Sequence, residues 1–296
     1  MPAEHGTIGM IGLGVMGGPM AANLVKAGFD VVGHNRSRSP VDRLVDAGGR
    51  AAEGVADLAR QADVIITVLP DTPDVEGVVL GAEGVLAHAR RGSQLIDMST
   101  VDPGLAVQID AAARERGIRS LDAPVSGGEK GAIDATLAIM VGGDAESFDL
   151  ARPVLVALGS TVILVGSAGA GQTVKAANQL LVGGIIELVA EAIVFLESYD
   201  VALEPAIEVL SGGLAGSRVL ERKARMMVAR EFSPSFRAQL HHKDMGIVLR
   251  AARQAGVTLP LGALVGQLFT ALNTQGGGML DHSALIRVLD SMSDPR

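Results

Sequence analysis

Short runs of continuous apolar, β-favouring residues alternate with helical patterns through the first half of the chain, and this alternation restricts the fold more than any other feature. Strands are expected at residues 7–12, 30–34, 63–69, 94–98, 119–123, 137–141 and 161–165, with helical stretches between most of them. The first helix is expected over 15–27, closed by Gly28 as a C-terminal cap. Residues 63–69 read DVIITVL, apolar nearly throughout rather than alternating, as in strands buried on both faces. Segments in this order build a doubly wound, mostly parallel sheet. After Val165 the pattern changes. Gly166-Ser167-Ala168-Gly169-Ala170-Gly171 is a small-residue turn, and one long helix is expected over 172–198. Helices follow at 203–211, 217–229, 236–255, 260–273 and 282–292, with no strand among them. The expected organisation is an α/β domain over 1–165 and an all-helical domain over 166–296, joined by the long helix.

The first strand runs directly into Gly12-Leu13-Gly14-Val15-Met16-Gly17, a G-x-G-x-x-G turn that opens a helix. In this context Gly12 permits the tight turn, Gly14 lets the backbone approach a pyrophosphate, and Gly17 lets the helix pack closely. Amides of the helix's first turn then face the diphosphate. The α/β domain thus reads as a Rossmann-type dinucleotide-binding domain, with Gly12, Leu13, Gly14, Val15, Met16 and Gly17 at the cofactor. The second strand ends in His34-Asn35-Arg36-Ser37-Arg38, where an NAD-binding chain would carry a carboxylate for the ribose. The missing acid, and Arg36 placed to pair with a 2′-phosphate beside Asn35 and Ser37, favour NADP, with NAD as the alternative. Leu69-Pro70 and Thr100 follow the next two strands, at the carboxyl ends where ligands gather in such sheets.

Composition removes other classes. Asp plus Glu is 33 against 25 for Lys plus Arg, a net charge of −8, the wrong sign for a nucleic-acid partner. There is no cysteine, so disulfides, thiolate metal sites and cysteine nucleophiles are absent together. The six histidines form no H-E-x-x-H, and Ser99, Ser126 and Ser217 lie in no G-x-S-x-G, so neither a metal site nor a serine hydrolase is expected. The opening Met1-Pro2-Ala3-Glu4-His5 carries an acid and no basic stretch. The most membrane-like stretch, 180–196, contains Glu187 and Glu191, each costing roughly 2.5 kcal/mol or more in mid-bilayer. A soluble cytoplasmic protein with neither membrane nor nucleic-acid partner is expected.

Four blocks occur in one order over almost the whole chain. They are Ile11 to Gly17 with Met20, Asn23, Leu24 and Gly28; Asp122-Ala123-Pro124-Val125-Ser126-Gly127-Gly128; Gly169-x-Gly171-x-x-x-Lys175-x-x-Asn178; and Lys243-Asp244. Together they resemble the β-hydroxyacid dehydrogenases. Gly212 to Ser217, Leu240-His241-x-Lys243-Asp244, Leu259-Pro260-Leu261 and Asp281 to Leu285 are similar to the branch that reduces tartronate semialdehyde to glycerate, with His242 a departure from its usual aliphatic residue. Enzymes of 3-hydroxyisobutyrate and of glyoxylate or succinic semialdehyde are the neighbouring alternatives. The resemblance implies an NAD(P)H-dependent reductase of a small carboxylate substrate, working as a homodimer or homotetramer. It places Lys175 and Asn178 in catalysis, the substrate carboxylate at Ser126, Gly127 and Gly128, Lys243 at the cofactor, and Phe236 and His241 in the substrate pocket.

The residues themselves suit that chemistry. Hydride addition to an aldehyde needs a proton donor at the developing alkoxide, and a lysine ammonium, with an ordinary pKa of about 10.4, is charged at neutral pH. Asn178 and Gln179 share the helix face of Lys175, three and four residues on, so Asn178 can position the ammonium or a substrate hydroxyl. Ser126-Gly127-Gly128 offers a hydroxyl and amides unobstructed by β-carbons, a nest for an anion. Blander roles stay open: a surface pair for Lys243 with Asp244, a core Phe236, a structural His241, and a non-catalytic dinucleotide-binding scaffold for the whole chain. The joint presence of Lys175 and Asn178 speaks against the last.

Overall fold

The computed structural model describes residues 6–293; residues 1–5, on which the reading of the N-terminal segment rested, lie outside them. The chain divides into two compact units, Met1–Lys175 and Ala176–Arg296.

The first unit alternates strands and helices: β1 (Thr7–Ile11), α1 (Gly17–Lys26), β2 (Asp30–His34), α2 (Arg38–Asp46), β3 (Arg50–Ala51), α3 (Val55–Gln61), β4 (Val64–Thr67), α4 (Thr72–Leu80), α5 (Val85–His88), β5 (Gln94–Asp97), α6 (Pro103–Glu115), β6 (Arg119–Asp122), β7 (Val125–Ser126), α7 (Gly128–Ile133), β8 (Leu137–Gly142), α8 (Ala145–Val156) and β9 (Gly159–Gly166). The sheet runs β3-β2-β1-β4-β5-β6-β8-β7, with β9 on β8. The strands from β3 to β6 are all parallel. β8 reverses direction against β6 and β7, and β9 runs parallel to β8. The first six strands follow the doubly wound dinucleotide-binding order, and the winding reverses between β1 and β4, where a crevice opens at the carboxyl ends. Both faces are covered: Met10, Met20, Leu24 and Leu121 belong to one apolar cluster, and Leu58, Val75, Leu95 and Leu105 to another. Gly28 has φ +92° and its amide bonds the Val25 carbonyl, the closing turn expected after α1. β3 and β7 were not expected, since two residues are too few to show a period.

The second unit is helical: α9 (Ala170–Glu197), which begins in the first unit, then α10 (Leu203–Gly212), α11 (Arg218–Ala229), α12 (Ala238–Gln254), α13 (Pro260–Thr274) and α14 (Ile286–Met292), with short 3-10 turns at Gly277–Met279 and His282–Leu285. Among the described residues its one β-bridge joins Arg237 to Asp281. Two expectations shift. α12 starts later than 236 because the Ser235 and Phe236 amides are drawn to the Asp281 carboxylate at 2.9 and 3.2 Å. The stretch 282–292 is a 3-10 turn followed by α14 rather than one helix. α9 is long and apolar enough to cross a membrane by length and composition. In this fold Ile186, Ala190 and Ile193 enter the core with Met227, Met245 and Phe269, while Leu181, Leu188 and Phe195 face outward.

Candidate active site

The glycine-rich turn lies at the carboxyl end of β1. Gly12 has φ +93°, and a β-carbon there would strike the Val68 carbonyl oxygen. A β-carbon on Gly17 would strike the carbonyl oxygen of Gly12, so the third glycine closes the turn on itself. Gly14 is exposed, and a β-carbon on it would find nothing within 4 Å, which leaves open the backbone approach the motif exists to give. Leu13 buries its side chain and donates its amide to Asn35 Oδ1 at 3.0 Å, so it builds the turn rather than offering a free donor. The Asn35 amide continues to Ser37 Oγ at 2.9 Å, tying the turn to the end of β2. No acid lies in the first turn of α1 to oppose an anion. Arg36 projects from the same end with its side chain 85% exposed, 3.8 Å from Asp74.

The ends of β4, β5 and β6 are fastened together by buried polar groups. Thr67 Oγ1 donates to Asp97 Oδ1 at 2.7 Å, and the Leu69 amide donates to Ser99 Oγ at 2.9 Å. Pro70 is exposed beyond Leu69. Gln172, in the first turn of α9, brackets Thr100: its amide nitrogen donates to the Ser99 carbonyl at 2.8 Å, and its oxygen accepts the Val101 amide at 3.0 Å. Asp122, at the end of β6, accepts the amides of Gly169 and Gln172 at 2.8 and 2.9 Å and so caps α9 from across the sheet. Burial pushes this carboxyl up to about 6 in spite of those two amides. The cap demands glycine at 171, where a β-carbon would lie 2.7 Å from the Asp122 carbonyl oxygen and 2.8 Å from Asp122 Oδ2. Lys175, on the second turn of the helix thus seated, is 7% exposed.

Ser126 ends β7, and Gly127 and Gly128 follow with φ +143° and +66°. Gly128 faces open space, as an anion nest needs, while Glu129 in the first turn of α7 works against negative charge there. Asn23 of α1 donates to the Ala132 carbonyl at 2.7 Å, fastening the phosphate-turn helix to the helix of this segment.

In the second unit the Asn178 amide nitrogen donates to Gln179 Oε1 at 2.8 Å, and Gln179 Nε2 donates to Asp244 Oδ2 at 2.6 Å. Lys243 pairs with Asp244 at 2.9 Å, its side chain only 16% exposed, so the pair is largely sheltered from solvent. His241 is fully buried, with Nε2 3.1 Å from the Gln179 carbonyl and Nδ1 2.9 Å from His282 Nδ1. The carbonyl can only accept, so His241 carries its proton on Nε2 and receives one from His282 Nδ1. Both nitrogens are engaged; the substrate contact expected of His241 has no polar atom left to make it. Burial, then His241 and Lys223, hold His282 well below the ordinary histidine value. The Phe236 ring meets both imidazoles edge-on, at centroid distances of 5.8 and 5.3 Å. Behind it, Lys223 bonds both oxygens of Asp281 at 2.8 Å. Burial alone would raise the Asp281 carboxyl, but the Lys223 ammonium and the Ser283 amide keep it well below the usual carboxylate range.

Comparison with known proteins agrees with this geometry. Residues 7–166 match the family model described as the NAD binding domain of 6-phosphogluconate dehydrogenase, and 169–289 the model described as NAD-binding of NADP-dependent 3-hydroxyisobutyrate dehydrogenase. The 2-hydroxy-3-oxopropionate reductase of Escherichia coli (strain K12) is 40% identical over 97% of this chain and 98% of its own. The chain belongs to the β-hydroxyacid dehydrogenase family. Among solved structures, Mycobacterium tuberculosis 3-hydroxyisobutyrate dehydrogenase with L-serine shares 34% identity, with a TM-score of 0.88 over 96% of this chain and 99% of that one. Psf3 in complex with NADP+ and 2-OPP shares 27% identity, with a TM-score of 0.88 over 95% and 99%.

This dehydrogenase is therefore an NAD(P)-dependent oxidoreductase acting on hydroxyl groups, and its own residues fit the dinucleotide. The exposed Gly14, the left-handed Gly12 and the acid-free start of α1 accommodate a diphosphate, and the ends of β2, β4 and β5 bring Asn35, Arg36, Ser37, Leu69, Pro70 and Thr100 to the same edge of the sheet. Sequence reasoning missed Gln172 and the capping role of Asp122. Their partners lie 71 and 47 residues away, and only the packing of α9 on the sheet reveals them.

Proposed function

We propose that this dehydrogenase reduces tartronate semialdehyde, a short 2-hydroxy-3-oxo acid, to glycerate with NADPH, and that Lys175 is the proton donor. The observation that carries the reading is a buried lysine on the second turn of α9, a helix whose start is fixed by Asp122 and Gln172. When bound, the nicotinamide supplies the hydride that adds to the aldehyde carbon. The Lys175 ammonium then gives its proton to the oxygen as that oxygen gains charge, so that C=O becomes CH–OH. Asn178, one turn on, positions the ammonium or a substrate hydroxyl. Ser126, Gly127 and Gly128 receive the substrate carboxylate through a hydroxyl and amides. Lys243, already beside Asp244, adds positive charge for two anionic ligands in a chain of net charge −8. The substrate choice is supported by the Escherichia coli relative, and the cofactor choice by Arg36, by the acid-free end of β2 and by the NADP+ complex of Psf3.

A second reading, a 3-hydroxyacid dehydrogenase working in the oxidative direction, is favoured by the Mycobacterium tuberculosis relative solved with L-serine. Measuring kcat/KM on tartronate semialdehyde and succinic semialdehyde with NADPH and NADH, and on 3-hydroxyisobutyrate and L-serine with NADP+ and NAD+, separates the two. A site built around a substrate hydroxyl rejects an analogue lacking it by up to roughly 10⁴. Preference for succinic semialdehyde or 3-hydroxyisobutyrate overturns the proposed substrate. We also infer a homodimer or homotetramer. Leu181, Leu188 and Phe195 recur every seven residues on α9 and are 65%, 53% and 61% exposed, a stripe suited to a second copy. Light scattering of Leu188→Glu against the unsubstituted chain tests it: the variant should be smaller, and an identical mass for both refutes the stripe.

A further inference from the structure

We propose that Gln179 and Asp244 are positioning residues that fix which way the Asn178 side-chain amide is turned, so that its Oδ1 is held in place as a hydrogen-bond acceptor. This rests on the reading that Lys175 and Asn178 work as a pair.

The argument starts from the one member of the chain whose polarity is not a matter of choice. Asp244 is 3% exposed and carries the Lys243 ammonium 2.9 Å from Oδ1, so its carboxylate can only accept. Its Oδ2 lies 2.6 Å from the Gln179 amide, which must therefore present nitrogen to it. That leaves Gln179 Oε1 on the other side, 2.8 Å from the Asn178 amide, which must in turn present its nitrogen. Turning Asn178 over would set two carbonyl oxygens against each other. Turning Gln179 over as well would set its oxygen against the Asp244 carboxylate. Each alternative buries a repulsion in place of a hydrogen bond, a costly exchange away from water. The Gln179 backbone is pinned too, since its carbonyl accepts from His241 Nε2 at 3.1 Å. With one Nδ2 hydrogen committed to Gln179, the amide cannot turn over, and its Oδ1 is held on the opposite side from Gln179.

An acceptor one turn beyond Lys175 suits a particular set of partners. It stabilises an ammonium at 175 and accepts from a hydroxyl on a bound substrate or product. An amide can form hydrogen bonds but does not give up its proton, so the proton transferred in the reduction is left to Lys175. This resolves what the amide of Asn178 does in a way its residue type alone leaves open, because an asparagine can face a ligand with either end.

The test uses the whole enzyme and three variants. Gln179→Leu frees the Asn178 amide, so the ammonium loses an oriented acceptor. kcat for the reduction should fall roughly ten- to a hundredfold, KM should change less, and the alkaline fall-off of kcat should move to lower pH by about one unit. Gln179→Glu sets two carboxylates together and should be at least as impaired. Gln179→Glu combined with Asp244→Asn keeps an acceptor facing Asn178 and a donor–acceptor pair behind it, so it should return to within about threefold of the starting kcat with the pH profile restored. This pair is nearly isosteric and decides the matter should Gln179→Leu fail to fold. A Gln179→Leu profile that overlays the original, or a double variant no better than Gln179→Glu alone, overturns the relay. If the unsubstituted enzyme reduces no semialdehyde, or Lys175→Ala matches it, the reading of the site fails instead.

Discussion

Lys175 is where residue type and placement bear most directly on chemistry. A charged group so nearly buried must be compensated by its surroundings or by ligands, which makes it a poor choice for a merely solubilising residue. Lys175→Ala should lower kcat by about 10² to 10⁴ while cofactor affinity, measured by fluorescence titration, stays close to its original value. Unchanged turnover would remove the proposed donor. Arg36 makes a separable prediction, because its side chain is exposed and its nearest acid, Asp74, is 3.8 Å away. A guanidinium held so loosely can turn to a 2′-phosphate. Arg36→Ala should raise Kd for NADPH by about tenfold and leave that for NADH nearly unchanged, in line with the loss of one charge-assisted contact. Equal weakening of both would count against a 2′-phosphate at this position.

Among the elements, α9 has the most to do, and its start is set by a strand far away in sequence. Asp122 caps it, Gly171 admits the cap, and Gln172 reaches back to bracket Thr100. Asp122→Ala removes an acceptor from two amides at once. It should lower Tm by a few degrees, and kcat should drop as well because Lys175 rides on the same helix; a variant with lower Tm and full kcat would show that the cap does not place the lysine. The existence of α9 was legible in the sequence, as were seven strands, because long apolar periodicity and short apolar runs are local signals. The glycine-rich turn was legible for the same reason: its glycines answer to contacts within a few residues, such as Gly17 against the Gly12 carbonyl. What could not be read were arrangements whose cause lies across the fold. A glutamine on an apolar helix looks like a neutral surface choice until the Ser99 carbonyl and Val101 amide are beside it. His241 reads from the sequence equally as a substrate contact or a structural histidine, and only the packing shows both its nitrogens engaged. The late start of α12 depended on Asp281, more than forty residues on.

Over the whole molecule, carboxyls whose pKa the fold shifts set how stability follows pH, and two opposing groups can be told apart. Asp30, Asp144 and Asp281 are held below their ordinary values by Arg50, by Ser147 and by Lys223, each against its own burial. Their contribution is present above the unfolded carboxyl range and is lost as pH falls through their folded values. Asp122 and Glu187 behave oppositely. Burial raises them to about 6 and about 7, Glu191 adding to the effect on Glu187. Between the unfolded carboxyl range and those values the folded chain binds more protons than the unfolded one, so stability falls as pH rises through that window and levels off above it. Net charge reinforces the trend, since a chain with an isoelectric point near 5.3 grows more negative as pH rises. Glu187 is the cleaner probe, because it is 2% exposed and, among the described residues, neither carboxyl oxygen has a hydrogen-bond partner. At pH 8 it is a buried anion without compensation, and at pH 4.5 it is neutral. Glu187→Gln keeps the shape and removes the ionisation. Thermal unfolding should therefore show the variant more stable than the original by a few degrees at pH 8 and indistinguishable from it at pH 4.5. A gain of equal size at both pH values would mean that packing, not charge, is what Glu187 costs the fold.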